Sequence, residues 1–229
     1  MKYVLIPILF VSAFSFSQNK EYSFDYLLEY EITFHKEDVS RPKYYLTNSK
    51  DNSYLGIMKE TDSLHFELTF KHYDKIYAKV TFLKSDFFKA EYLNIGCRDV
   101  SSTIKKIKIK DTVLESLKDT LIDGTSYFIH KLELKKKPKK VKKKKGLVTK
   151  YYIINRNSIN HLPLLEDIYD YKRWVKYRKM PNGIYNQQIQ INLLNQSHAS
   201  EILKSYHKID KKVAIVGKCL KPRKHKLPH

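Results

Sequence analysis

From Phe24 to Phe34 every even position is apolar or aromatic: Phe24, Tyr26, Leu28, Tyr30, Ile32 and Phe34. Asp25, Leu27, Glu29, Glu31 and Thr33 stand between them. Side chains of a strand alternate between two faces, so this run specifies a half-buried strand. The same period returns in Leu64, Phe66, Leu68 and Phe70, in Ile76 to Leu83, and in Ile184 to Leu194, where Ile189, Ile191 and Leu193 share a face. Arg41-Pro42 is expected to break the first strand. Lys43 to Asn48 and Ser53 to Lys59 read as a hairpin around Lys50-Asp51-Asn52.

The stretch from Asp119 to Asn155 adds a second hairpin. Asp123-Gly124 is a turn signal, because glycine takes positive φ without steric cost. Tyr127 to Leu134 and Leu147 to Ile154 are rich in aromatic and branched residues and read as paired strands. Ile104 to Ile109 alternates apolar residues with lysines and suits an exposed strand. Val113 to Leu121 fits helix or strand equally, and Val213 to Val216 reads as a last strand.

Three segments read as helices. Ser85 or Asp86 caps a short one that runs through Phe87, Phe88, Tyr92 and Ile95 to Gly96. Leu162 to Lys179 carries Pro163 in its first turn. Acids sit near its start and Arg173, Lys176, Arg178 and Lys179 near its end, as the helix dipole favours. Its apolar stripe is Leu164, Ile168, Tyr171 and Val175, with Leu165 and Trp174 beside it. Pro181-Asn182-Gly183 stops it, and Ser197 caps a third helix, His198 to His207. The sum is a mainly β (α+β) chain of roughly eight to ten strands, mostly antiparallel.

The N-terminus stands apart. Lys2, the apolar run Tyr3 to Phe14 and the small residues Ser15 and Ser17 fit a signal peptide, residues 1–17, cleaved before Gln18. The expectation is an exported protein, periplasmic or secreted, with one β-rich domain at 18–217 and a basic tail at 218–229. The formal charge of +20 is concentrated in a hairpin loop, 135–145, where Lys135, Lys136, Lys137, Lys139, Lys140, Lys142, Lys143, Lys144 and Lys145 crowd together. Such a block is solvated. Its candidate partners are an anionic membrane surface or lipopolysaccharide; nucleic acid is disfavoured, since an exported protein rarely meets it. Cys97 and Cys219 are a candidate disulfide in an oxidising compartment, the alternative being a buried Cys97 thiol.

Motifs for catalysis are missing from the sequence: there is no nucleophile elbow, phosphate loop, dinucleotide fingerprint or zincin helix. Glu166, Asp167 and Asp170 form an acid cluster, but the helix dipole already accounts for two of them. His130 reads as a strand-face residue. Cys219, His225 and His229 match no standard zinc spacing, and a solvated tail is the simpler account. No cofactor or metal is expected, and the reading is non-enzymatic. The oligomeric state is left open.

The turn Asp123-Gly124, the strand with Tyr127 and Ile129-His130-Lys131-Leu132, and the strand Tyr151-Tyr152-Ile153-Ile154-Asn155 resemble the periplasmic lipoprotein-carrier superfamily. The resemblance implies an antiparallel open half-barrel with two or three helices packed on one face. It also implies a groove that shelters a lipid or an acylated protein. Tyr127, Ile129, Tyr152, Ile154, Ile168 and Trp174 are the candidate groove residues. Lys179-Met180-Pro181-Asn182-Gly183-Ile184 is also similar to the late Gly-Leu-Pro-Gly-Leu-Ile motif of a group of secreted bacterial proteins, matching at Pro181 and Ile184. The alternative to a carrier is an envelope interaction protein with a filled core, touching anionic surfaces through its lysine loop.

Overall fold

The computed structural model describes residues 20–73, 76–102, 112–134, 148–192 and 194–216. The proposed signal segment, Ile104 to Ile109, the lysine run, Leu193 and the basic tail lie outside them. The strands are β1 (Lys20–Phe34), β2 (Val39–Thr47), β3 (Tyr54–Glu60), β4 (His65–His72), β5 (Ile76–Leu83), β6 (Tyr92–Gly96), β7 (Val100–Ser102), β8 (Thr112–Ser116), β9 (Thr120–Ile122), β10 (Thr125–Leu134), β11 (Val148–Asn155), β12 (Tyr185–Asn192) and β13 (Ser197–Val216). The helices are α1 (Lys84–Lys89) and α2 (Ile168–Tyr177).

All thirteen strands join one sheet, in the order β7-β5-β4-β3-β2-β1-β13-β12-β11-β10-β8, with β6 on β13 and β9 on β10. Pairing among the described strands is antiparallel except for β6, which runs parallel to β13. β7 and β8 stand at opposite ends of that order, yet only residues 103–111 separate them. That length of chain reaches at most about 36 Å, whereas eleven strands laid flat would be about 48 Å across. The sheet must therefore curl, and it is an open half-barrel.

Two apolar cores lie on opposite faces of the central strands. Leu46, Met58, Phe66, Leu68 and Phe70 face one core, closed by Phe87 of α1 and by Leu93 and Ile95 of β6. Tyr45, Leu55 and Ile57 face the other, with Tyr30, Tyr152, Ile154 and Tyr185. This second, inner face is covered by the segment from Leu162 to Met180, through Leu164, Leu165, Trp174 and Met180. β1 changes sides near its register shift between Phe24 and Tyr26. Phe24 belongs to the first core, and Leu28 and Tyr30 to the second.

The hairpins at β2–β3 and β10–β11 fall where the sequence places them, and Val113 to Leu121 resolves into β8 and β9. Five expectations change. Pro42 does not end the strand but pairs with Glu31 inside β2. β3 pairs only with Tyr44 to Leu46, so Pro42 sits on an open edge where no N–H is needed. α1 stops at Lys89, and Tyr92 to Gly96 is a strand, buried at Leu93 and Ile95 and exposed at its odd-even neighbours Tyr92, Asn94 and Gly96. The helix expected at Leu162 begins only at Ile168. Asp167 is its cap, accepting from the Tyr169 N–H, and Leu162 to Glu166 has no regular secondary structure and packs Leu164 and Leu165 on the sheet. Val175 is exposed and Trp174 is the buried helix residue, so the stripe is rotated from the one expected. The helix expected at His198 to His207 is instead part of β13, which pairs with β1 and β12 over that stretch.

Candidate functional site

Across the inner face runs a row of polar side chains. β2 contributes Lys43 and Tyr45, β4 contributes Lys71, β13 contributes Glu201, β12 contributes Tyr185, and β11 contributes Lys150 and Tyr152. Two-residue alternation puts Lys43 beside Tyr45, and Lys150 beside Tyr152, on one face of their strands. The cover brings Glu166 and Asp170 down onto this row.

Lys43 Nζ donates to Glu166 Oε2 at 2.6 Å and to Glu201 Oε1 at 2.7 Å. The Tyr45 hydroxyl lies 2.9 Å from both Glu166 Oε2 and Glu201 Oε2, and its single proton serves one carboxylate at a time. Tyr185 donates to Glu201 Oε2 at 2.8 Å, and Tyr30 donates to the Tyr185 carbonyl at 2.6 Å. Lys71 Nζ stands 3.7 Å from Glu166 Oε1. At the other end, Lys150 Nζ and the Tyr152 hydroxyl donate to Asp170 Oδ2 at 2.5 and 3.2 Å. Tyr73 donates to the Leu165 carbonyl, and Trp174 Nε1 to the Met180 carbonyl at 3.3 Å.

The electrostatics follow from burial and pairing. Burial alone would lower the Lys43 ammonium, but Glu166 and Glu201 outweigh it and hold it above its ordinary value. Burial works against the Glu166 carboxylate, yet Lys43 and Lys71 bring it down to about 2. Lys71, with its weaker partner, is lowered by burial. Lys150 is raised against burial by Asp170. Burial pushes the Tyr30, Tyr45, Tyr152 and Tyr185 phenols well above their ordinary value, so they serve as donors. Each charged group of the row has an ion-pair partner, and among the described residues no group of three metal-ligating side chains exists.

The predicted groove residues divide between two faces. Tyr152, Ile154 and Trp174 meet in the inner core. The β10–β11 register pairs His130 with Tyr152 and Phe128 with Ile154, so the even residues of β10 share that face. Ile129 pairs with Ile153 and belongs to the outer face with Tyr127. Ile168, at the start of α2, is only half-buried. His130 is buried on its strand, with Ser116 Oγ 3.4 Å from Nδ1, and burial lowers its pKa. Beneath the start of the cover, Thr47, Tyr54, Tyr73, His161 and Leu165 line a cavity of about 10 Å³, room for roughly one water. Cys97 carries no free thiol, and Cys219 lies outside the described residues.

No family model and no curated protein matches this chain. Solved structures do. The chain is similar to a chain of the MucA/MucB complex of Pseudomonas aeruginosa, with a TM-score of 0.41 at 4% identity over 84% of this chain and 52% of that one. It thus spans about half the length of that protein. A DUF1329 family protein from Desulfovibrio piger matches at TM-score 0.30 and 10% identity, over 85% and 87% of the two chains. A LolA superfamily protein from Nitrosomonas europaea matches at 0.29 and 10%, over 82% and 86%. Among the described residues no helix is long and apolar enough to cross a membrane.

Proposed function

We propose that this chain is an exported, non-enzymatic binding protein that shelters an apolar or acylated ligand on the inner face of its half-barrel, after the segment from Leu162 to Met180 moves aside. The observation that carries the reading is the way this face is covered. The segment is not part of the sheet. It fills an apolar surface of Leu55, Ile57, Leu132 and Ile154, and ion pairs from Glu166 and Asp170 join hydrogen bonds to Ser49, Asn52 and Tyr73 in holding it there. The lysine run, residues 135–145, is read as the part that meets an anionic surface, and Cys219 as the partner of Cys97 in an oxidising compartment. Lipid analysis of the protein purified from its own envelope tests the reading. An acyl-chain lipid in about equimolar amount is expected; lipid-free protein that also fails to take up added lipid would sink it.

A second reading has its own observation. Trp174, Leu164 and Leu165 are nearly as buried as the sheet core, at 6%, 3% and 3% exposure. A cover that never leaves makes the protein an envelope interaction module with a filled core. The two readings part on whether the cover opens while the sheet stays folded.

A further inference from the structure

The sheet side of the polar row carries an excess of positive charge that the cover balances. Lys43, Lys71 and Lys150 all stand on strands, and within their row the sheet supplies one carboxylate, Glu201. The cover supplies the other two: Glu166 for Lys43 and Lys71, and Asp170 for Lys150. Asp167 caps α2 through the Tyr169 N–H and adds a longer-range negative charge toward Lys71 and Lys150. When the cover withdraws, three ammonium groups face one carboxylate beside the apolar surface of Leu55, Ile57, Leu132 and Ile154. In water that excess is tolerable. Under an apolar ligand it is not, because a buried ammonium without a counter-charge is strongly unfavourable.

We propose that the inner face takes an anionic amphiphile. Its phosphate, as a dianion, replaces both Glu166 and Asp170 against Lys43, Lys71 and Lys150, a carboxylate replaces one of them, and its acyl chain replaces Leu164, Leu165 and Trp174. The inference rests on the carrier reading and adds the charge of the head group. Glu166 and Asp170 are then internal stand-ins for the ligand's anion, which is why the empty protein can keep three partly or fully buried lysines on this face. A neutral amphiphile of the same chain length would leave two of those charges unpaired, and the site should discriminate against it.

The chain has a single tryptophan, Trp174, and it lies buried in the cover, so its emission reports displacement of the cover. The full chain and its Glu166→Gln/Asp170→Asn variant are titrated with oleate, oleyl alcohol, an alkyl phosphate and inorganic phosphate. Removing the stand-ins should tighten oleate binding at least about tenfold, and in the variant oleate should bind at least about tenfold tighter than the alcohol. The alkyl phosphate should follow oleate, with the tighter of the two naming the natural head group. Inorganic phosphate alone should leave the tryptophan unmoved. Adding Lys71→Met and Lys150→Met should erase the preference for the anion. Circular dichroism checks each fold. Trp174→Ala, read by displacement of a fluorescent fatty acid, loosens the cover without touching its charge and provides a second route if the double variant does not fold. Equal affinity for oleate and the alcohol would overturn the inference and leave the carrier reading standing. A response to inorganic phosphate alone would overturn it in favour of a small-anion site. No binding of either amphiphile by any folded variant would overturn both readings.

Discussion

Replacing Glu201 by alanine tests whether the polar row is sealed. Glu201 is 1% exposed and accepts from Lys43 at 2.7 Å, Tyr45 at 2.9 Å and Tyr185 at 2.8 Å. Its removal leaves Tyr45 with Glu166 and Lys43 with one half-exposed partner, and it leaves the Tyr185 hydroxyl without its acceptor. Breaking a buried pair by deleting one partner costs about 3–5 kcal/mol, and an orphaned phenol costs about 1–3. Lys43 keeps Glu166, so the expected total is about 3–5 kcal/mol rather than the sum. Lys43→Met combined with Glu201→Leu removes both charges of the pair but still leaves Tyr185 without its acceptor and Glu166 without Lys43, so it should recover only part of that loss. Urea denaturation measures both, with stability read from the midpoint at unchanged slope. A loss below about 1 kcal/mol in Glu201→Ala would mean that water reaches the carboxylate, and the sealed row would be wrong.

The Glu166 carboxyl sits at about 2 when folded, against an ordinary value near 4.5. Its contribution is therefore fully present above about pH 4.5 and lost as pH falls toward 2, about 1–2 kcal/mol after allowing for its partial exposure. Trp174 emission should shift to the red across that window in wild type and not in Glu166→Gln. Gly183 has φ +135°, and a Cβ there would lie 2.6 Å from Ile154 Cγ2, so Gly183→Ala should lower stability by about 2–3 kcal/mol in thermal unfolding. Replacing residues 135–145 with a short Gly-Ser turn should leave thermal stability nearly unchanged. It should also remove most low-salt binding to anionic liposomes, where each lysine contributes about 1 kcal/mol. Equal binding by the two forms would assign that activity elsewhere on the chain.

The parts of the fold that sequence reveals are those whose signals are local. Asp123 and Gly124 take φ of +48° and +76°, as their turn requires, and the strands they join carry their own alternation. β1 is legible for the same reason. β13 is not, because its exposed stretch from Lys204 to Lys208 has the composition of a polar helix. What makes that stretch a strand is pairing with β1, whose residues lie far away in the chain; β12, its hairpin neighbour, pairs only as far as Ile202. The polar row was hidden by the same distance. Lys43 and Glu201 are 158 residues apart, and Glu166 lies 123 from Lys43. Each has a bland local reading: a strand lysine, a helix acid and a dipole partner for α2. A glutamate on the core face of a strand would have stood out, but only after Ser197 to Val216 had been read as one.

A ligand can reach the inner face only if the segment from Leu162 to Met180 leaves it while the sheet stays folded. Native-state hydrogen exchange measures this directly. The reporting amides are Tyr171, Arg178, Leu162 and Gly183, bonded to the carbonyls of Asp167, Trp174, Ser49 and His161. They should exchange together, through an opening several kcal/mol below global unfolding, while the amides of β1, β2 and β13 exchange only when the whole fold opens. Exchange of both groups at the same free energy would make the segment an inseparable part of the core, and no ligand could enter beneath it.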